Sequence, residues 1–320
     1  MQPRGVLLSL LQKSLLSQMP QQADLARSRK AEMLPTDYFH VTITVPEELR
    51  ALLRANQRDG YALLMKAAAD AIIELARDRR FVGGTVGVLA VLHTWTQQLL
   101  YHPHVHCLVT GGGISEDGCD WFPARKAFLV PHMALAKLLR GKLKAMLANR
   151  RPDLIAPAAA WTKPWVVHIN HWGQGHEAVL RYLARYVFRV AITNTRIVAL
   201  DDQTVTIRYN QRKSARWRRS CMPGHEFMRR FLQHVLPKGL HKVRYFGLWH
   251  PSQRQRVAQA RLLLELERTT ELATEPAASS PRYGAHQAAA SAPEPRRCPC
   301  CGNSHLVYIR RLTPKNALGP

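Results

Sequence analysis

The chain has 320 residues with 46 Lys+Arg against 22 Asp+Glu, a formal charge of +24, and 46% of its residues are hydrophobic. That hydrophobic content excludes disorder for the chain as a whole, the length allows one large domain or two ordinary ones, and the positive excess is most simply tolerated when a polyanion neutralises it, which makes nucleic acid the default partner. Six Cys, three of them crowded at Cys298, Cys300 and Cys301, do not make the evenly spread framework of a disulfide-stapled secreted domain, and no apolar run reaches the roughly 18 residues of a membrane span, so a cytoplasmic chain with no membrane partner is expected.

Residues 1–36 read as a mixed helical segment. Met1 to Met19 has a weak signal-like look, but Gln12 and Lys13 interrupt the apolar stretch and no small-residue cleavage site follows. Tyr38 to Val45 (YFHVTITV) is β-branched and aromatic, stops at Pro46, and predicts a strand. Tyr61 to Asp78 carries Leu64, Ala67, Ala71, Ile72 and Leu75 at helical spacing; Thr85 to Trp95 predicts a second strand, and Val105 to Thr110 a third that ends at Gly111, Gly112 and Gly113. His132 to Arg150 reads as a basic helix, Trp165 to Asn170 as a strand, and His176 to Val190 as a helix. Arg196 to Leu200 and Thr204 to Tyr209 predict a hairpin around Asp201 and Asp202. A helix at Glu226 to Val235, a strand at Lys242 to Trp249 and a helix to about Arg268 follow. This irregular alternation predicts an α+β fold, an antiparallel sheet with helices packed on its faces. Beyond it, 269–297 is rich in Ala, Pro, Ser and Glu and reads as a disordered linker, and 298–320 is a Cys-rich basic tail.

His102, His104 and His106 sit in HPHVHCLV on a predicted strand, so their imidazoles fall on one face, where two of them can grip one cation. A half-buried strand that happens to be His-rich is the plain alternative. Folding the preceding strand back through a turn near Leu99 to Tyr101 places Gln97 opposite His104 as a neutral oxygen ligand, with His93 a rival further along the same face. Two imidazoles and an oxygen with open positions suit Mg²⁺ or Mn²⁺ bound to a phosphate better than a closed Zn²⁺ site. Tyr182 and Tyr186, four apart in RYLARYVFR, stack on one helical face. They could be core residues beside Leu183 and Val190, but Arg181, Arg185 and Arg189 form a parallel stripe fit for a phosphodiester. A tyrosine hydroxyl can attack phosphorus when a metal polarises the phosphoryl oxygen and a 3′ oxygen leaves.

A His-x-His strand, a later Tyr-x-x-x-Tyr helix and a strongly basic chain resemble the HUH endonucleases, and more closely the two-tyrosine rolling-circle transposases of bacterial insertion sequences. FHVTITVP, GVLAVLHTW, HPHVHCLVTGGGIS, YLARYVFRVAITNTRI and HKVRYFGLWHP follow in that family's order over about Ala31 to Leu266. The resemblance implies a Rep-like antiparallel sheet in a domain spanning 37–268. It also implies nicking of single-stranded DNA at element ends and target, through 5′-phosphotyrosine links and free 3′-OH ends, with no small-molecule cofactor. His104 and His106 are then metal ligands and Tyr182 and Tyr186 nucleophiles; Gln97 rests on the hairpin geometry. The family carries a Cys-rich zinc module ahead of the segment matching Arg27 to Pro35, whereas residues 1–26 hold no Cys, which implies a truncated or divergent N-terminus.

Two further features bear on DNA and metal. IRYNQRKSARWRRS sets Arg208, Arg212, Lys213, Arg216, Arg218 and Arg219 among Tyr209 and Trp217, cations for a backbone and rings for unpaired bases; the alternative is a solvated charged loop. Cys298-x-x-Cys301-Gly302 resembles half a zinc ribbon, completed for Zn²⁺ only if Cys300 and His305 contribute. Three rival readings remain at this point. The alternating histidines also fit the histidine-triad nucleotide hydrolases, which leaves the tyrosines and the charge without a role; a DNA-binding transposase remnant and a replication initiator are the others.

Overall fold

The computed structural model describes residues 33–187, 191–211 and 216–274. The N-terminal segment, the linker beyond residue 274, the Cys298/Cys301 tail, and Arg189, Arg212 and Lys213 lie outside them. Among the described residues no helix is long and apolar enough to cross a membrane.

The fold is α+β, as expected. Its centre is a five-stranded antiparallel sheet built from β1 (Asp37–Thr44), β2 (Gly87–Trp95), β3 (Tyr101–Thr110), β6 (Val166–Gln174) and β10 (Val243–Gly247), in the order β10-β2-β3-β1-β6. A two-stranded ribbon, β4 (Gly112–Ile114) with β5 (Trp121–Pro123), follows β3. A three-stranded sheet, β7 (Ile197–Leu200), β8 (Thr204–Gln211) and β9 (Arg216–Pro223), forms a second lobe with its own small core.

Alternation along the strands divides the large sheet into two faces. Phe39, Val41 and Ile43 of β1 pair with Val109, Cys107 and Val105 of β3, and these residues bury against the long helices α2 (Gln57–Arg77) and α3 (His132–Arg150). Each such aliphatic side chain contributes roughly 1.5–3 kcal/mol of burial. The opposite face carries Tyr38, Leu89, Val91 and Leu108 toward the core, with His40, Thr42, His93, His104 and His106 at the same parity further along. It is covered by α5 (Gly175–Tyr182), a π-helical turn Leu183–Val187, and α7 (Arg254–Thr274). Two short helices, α1 (Arg50–Ala55) and α4 (Ala159–Thr162), and α6 (Gly224–Leu232) of the second lobe complete the set.

Four elements differ from the sequence expectation. The helix carrying the tyrosines is α-helical only to Tyr182 and then widens into the π turn. Arg216 to Pro223, expected within a charged run, is strand β9, paired residue by residue with β8. The last helix runs to Thr274, past the boundary placed at 269, because ELERTTELAT is rich in helix formers. The β2–β3 turn comes earlier than expected, centred on Gln98. Gly173 at φ 130° and Gly175 at φ 60° turn β6 directly into α5, conformations that Cβ-bearing residues rarely adopt.

Candidate active site

The β2–β3 register brings His93 directly opposite His104, with Trp95 opposite Tyr101 and a bulge between. Gln97, expected in that position, instead lies in the turn, where its Oε1 accepts the backbone N–H of Asn210 at 2.7 Å. The cause is a turn centred on Gln98, which shifts the pairing by four residues along β2. Gln97 still borders the cleft.

His93, His104 and His106 bring their ligand-capable nitrogens within 4.8 Å of one another. In a neutral ring His104 Nδ1 must donate to the His102 carbonyl at 2.7 Å, so the lone pair is presented from Nε2. By the same reasoning His93 Nε2 donates to the Tyr186 carbonyl at 2.8 Å, which leaves the lone pair on Nδ1. Metal-binding imidazoles characteristically give their second N–H to a carbonyl in this way. The donor set therefore fits a divalent cation.

His40 is the residue the sequence reading missed. Its Nε2 lies 3.0 Å from His106 Nδ1, and Thr42 Oγ1 stands 3.3 Å from both rings. Burial, and secondarily the Arg185 charge, push its pKa down to about 4, so it is neutral at pH 7 and can orient His106. The signal was present: His40, Thr42 and Thr44 are polar residues at period two in a strand whose alternate positions are apolar.

The two tyrosines occupy different environments. Tyr182 is 0% exposed and its hydroxyl donates to the His106 carbonyl at 2.8 Å. Burial, with Cys107 and Tyr186 alongside, pushes its pKa well above the ordinary phenol value. Tyr186, 9% exposed, borders the cleft and its ring centre lies 4.3 Å from His106 and 4.6 Å from His40. π turns recur at functional sites, and here the turn contains the tyrosine whose carbonyl binds His93.

These groups line a cleft of about 820 Å³ to which β1, β2, β3, β6, the π turn and β8 contribute. Among the described residues its lining has no carboxylate; Arg185 is its one fully charged side chain, and His102, His168, Asn170, Tyr209 and Asn210 add polar or aromatic edges. A phosphodiester thus meets no like charge there. Arg185 also lies over Trp172, 5.9 Å from the ring centre. Arg181 is exposed on α5 and does not border the cleft.

The basic run resolves into two faces of the β8–β9 hairpin. Arg208 and Trp217 share the outer face, the guanidinium 5.0 Å from the ring centre, with Trp217 58% exposed. Arg218 pairs opposite Tyr209 on the other face, and Arg216 is exposed at the strand's start.

Comparison with known proteins gives the family. Residues 87–256 match the family model Y2_Tnp, described as "Putative transposase". The chain is 36% identical over 301 residues to "Putative transposase y4qJ" of Sinorhizobium fredii, covering 88% of this chain and 75% of that one. It is 26% identical over 225 residues to "Transposase for insertion sequence element IS801" of Pseudomonas savastanoi pv. phaseolicola, covering 65% of this chain and 53% of that one. No solved structure matches. The histidine-lined cleft beside a tyrosine turn is thus carried by a chain that belongs to the Y2_Tnp family of transposases, with DNA as its partner.

Proposed function

We propose that this transposase nicks and joins single-stranded DNA through a tyrosine, by the rolling-circle route, and that Tyr186 is the residue that cuts first. Tyr186 Oη attacks the scissile phosphorus; an O–P bond to the 5′-phosphate forms, the P–O3′ bond breaks, and the phenolic proton is passed on to the departing 3′ oxygen. Reversal by a 3′-OH rejoins the strand, so the exchange needs no external energy source. The observation that carries the reading is the packing of the Tyr186 ring against His106, centres 4.3 Å apart and planes tilted by 36°, at the edge of a cleft that also holds His93 and His104.

In this reading His93, His104 and His106 hold a divalent cation, which when bound supplies polarisation of the phosphoryl oxygen. An all-imidazole set favours a transition ion such as Mn²⁺ over Mg²⁺, which prefers oxygen ligands. His40 and Thr42 orient His106, and Arg185 binds the adjoining phosphate. Tyr182, its hydroxyl tied to the His106 carbonyl, is the reserve nucleophile for strand transfer, reached only once that bond opens. The exposed Trp217 with Arg208, Arg216 and Arg218 carries unpaired DNA toward the cleft by stacking and charge. Arg181, on the outer side of α5, extends the same positive field.

The test uses oligonucleotides from the ends of the DNA encoding the chain, single- or double-stranded, with Mn²⁺, Mg²⁺ or chelator, run on a denaturing gel. A covalent protein–DNA band on single strands, stronger with Mn²⁺ and absent with chelator, is the expected result. Cleavage of duplex alone, or cleavage with no covalent species, contradicts the proposal.

A further inference from the structure

The tip of the hairpin that carries His93 and His104 is gripped by the second lobe. Leu99 sits in the turn at φ 59°, a conformation that L side chains rarely adopt, yet its side chain is fully buried among Val205, Ile207, Met222 and Phe227. Its carbonyl accepts two hydrogen bonds, from Gln233 Nε2 at 2.8 Å and His234 Nε2 at 3.0 Å. Next to it, the Gln97 carbonyl accepts from Arg196. None of Gln233, His234 and Arg196 borders the cleft.

This grip matters because hairpin register is set by the turn, and a slip of one residue moves every side chain to the opposite face. The Thr96–Leu100 segment has no Gly or Asn to favour a tight hairpin turn, and the pairing is already bulged between His93 and Trp95. The turn sequence by itself therefore specifies the pairing of His93 with His104 weakly. Inside the turn Thr96 bonds the backbone of Gln98, Leu99 and Leu100; the rest of the hold is external, the apolar socket for Leu99 in the second lobe and the donors Gln233 and His234 just after α6 and Arg196 just before β7.

We propose that the second lobe is a clamp that sets the β2–β3 register, and that Gln233, His234 and Arg196 are positioning residues for the metal site although they touch neither metal nor DNA. The inference rests on the reading of His93, His104 and His106 as metal ligands. Loosening the clamp lets His93 drift relative to His104, which weakens the ion's hold without removing any ligand.

The experiment is Mn²⁺ titration of the full chain by calorimetry, for wild type, His104→Ala, Gln233→Ala, Arg196→Ala and Leu143→Ala. Leu143 is buried in α3 within the large core and outside the Leu99 socket, and its truncation lowers thermal stability without touching the clamp. The clamp predicts that Gln233→Ala and Arg196→Ala, each folded by near-UV circular dichroism, bind Mn²⁺ about tenfold or more weakly, while Leu143→Ala binds as wild type does. Two variants on different elements keep the test decisive if one fails to fold. Wild-type affinity in the folded clamp variants, or equal weakening in Leu143→Ala, overturns the clamp and leaves the metal site standing. No binding by wild type, or binding unchanged by His104→Ala, overturns the metal reading and the clamp with it.

Discussion

The histidine face of the large sheet and the arginine-rich hairpin of the small one, which reaches the cleft through Tyr209 and Asn210, are built on opposite terms. On the first, His40, His93 and His106 are buried and tied to one another or to backbone carbonyls at 2.8 to 3.0 Å. On the second, Arg208, Arg216, Arg218 and Trp217 stand in solvent with the other charges as their neighbours. A buried, mutually bonded cluster has one working arrangement, so each member is needed. An exposed set of cations contributes additively, and losing one leaves most of the field in place.

Four outcomes would break or sharpen that contrast. The largest belongs to the histidine face: His104→Ala or His106→Ala lowers strand cleavage by about 100-fold or more, measured as single-turnover nicking at saturating Mn²⁺. A loss of only a few-fold would put these residues on the same footing as the hairpin.

Next is a pH effect on the joint between the two lobes. Burial holds the pKa of His234 down to about 4, against an ordinary value near 6.5. Because the folded value is the lower one, the unfolded chain takes up the proton first as pH falls. Stability is therefore whole above about 6.5 and is lost progressively toward 4, by on the order of 2–3 kcal/mol from this residue. Denaturant unfolding at pH 7.5 and 4.5 should show a steeper loss for wild type than for His234→Gln; equal slopes would mean that His234 does not carry it.

On the hairpin, Trp217→Ala should weaken single-strand binding by about 1–3 kcal/mol, read by fluorescence anisotropy. Arg208→Ala should do less and should flatten the logarithmic salt dependence by about 0.7. A collapse of binding on either change would make the hairpin as exacting as the histidine face. The smallest effect is expected from Tyr182→Phe, which removes the bond to the His106 carbonyl and costs about 1 kcal/mol of stability in urea unfolding.

Much of this architecture was legible before the structure. β-Branched runs and helical spacing located the strands and helices of the large sheet because both of its faces are covered and the apolar pattern is strong. The shared face of His102, His104 and His106 followed from period two, and the choice of His104 and His106 from the family resemblance. Gln97 did not, since register depends on where the chain turns, and that is decided by Leu99 entering the core of another lobe, a tertiary contact with no local signature. His40 escaped notice because its strand was read only for its β-branched and aromatic content and not for the polar alternation of His40, Thr42 and Thr44. β9 was hidden because Arg216, Trp217, Arg218 and Arg219 are all exposed, so no alternation of burial marks the strand. The difference between Tyr182 and Tyr186 could not be read from a spacing of four, which makes them equivalent on an ideal helix; the π turn and the bond to His106 separate them.

That separation gives the most direct test. Wild type, Tyr186→Phe, Tyr182→Phe and the double variant are each mixed with single-stranded end oligonucleotides and Mn²⁺, and the covalent protein–DNA species is followed from the first turnover. The account predicts a first-turnover adduct in wild type and Tyr182→Phe, and none in Tyr186→Phe or the double variant. An adduct that persists in Tyr186→Phe and disappears in Tyr182→Phe would contradict it and assign the first cut to the buried tyrosine.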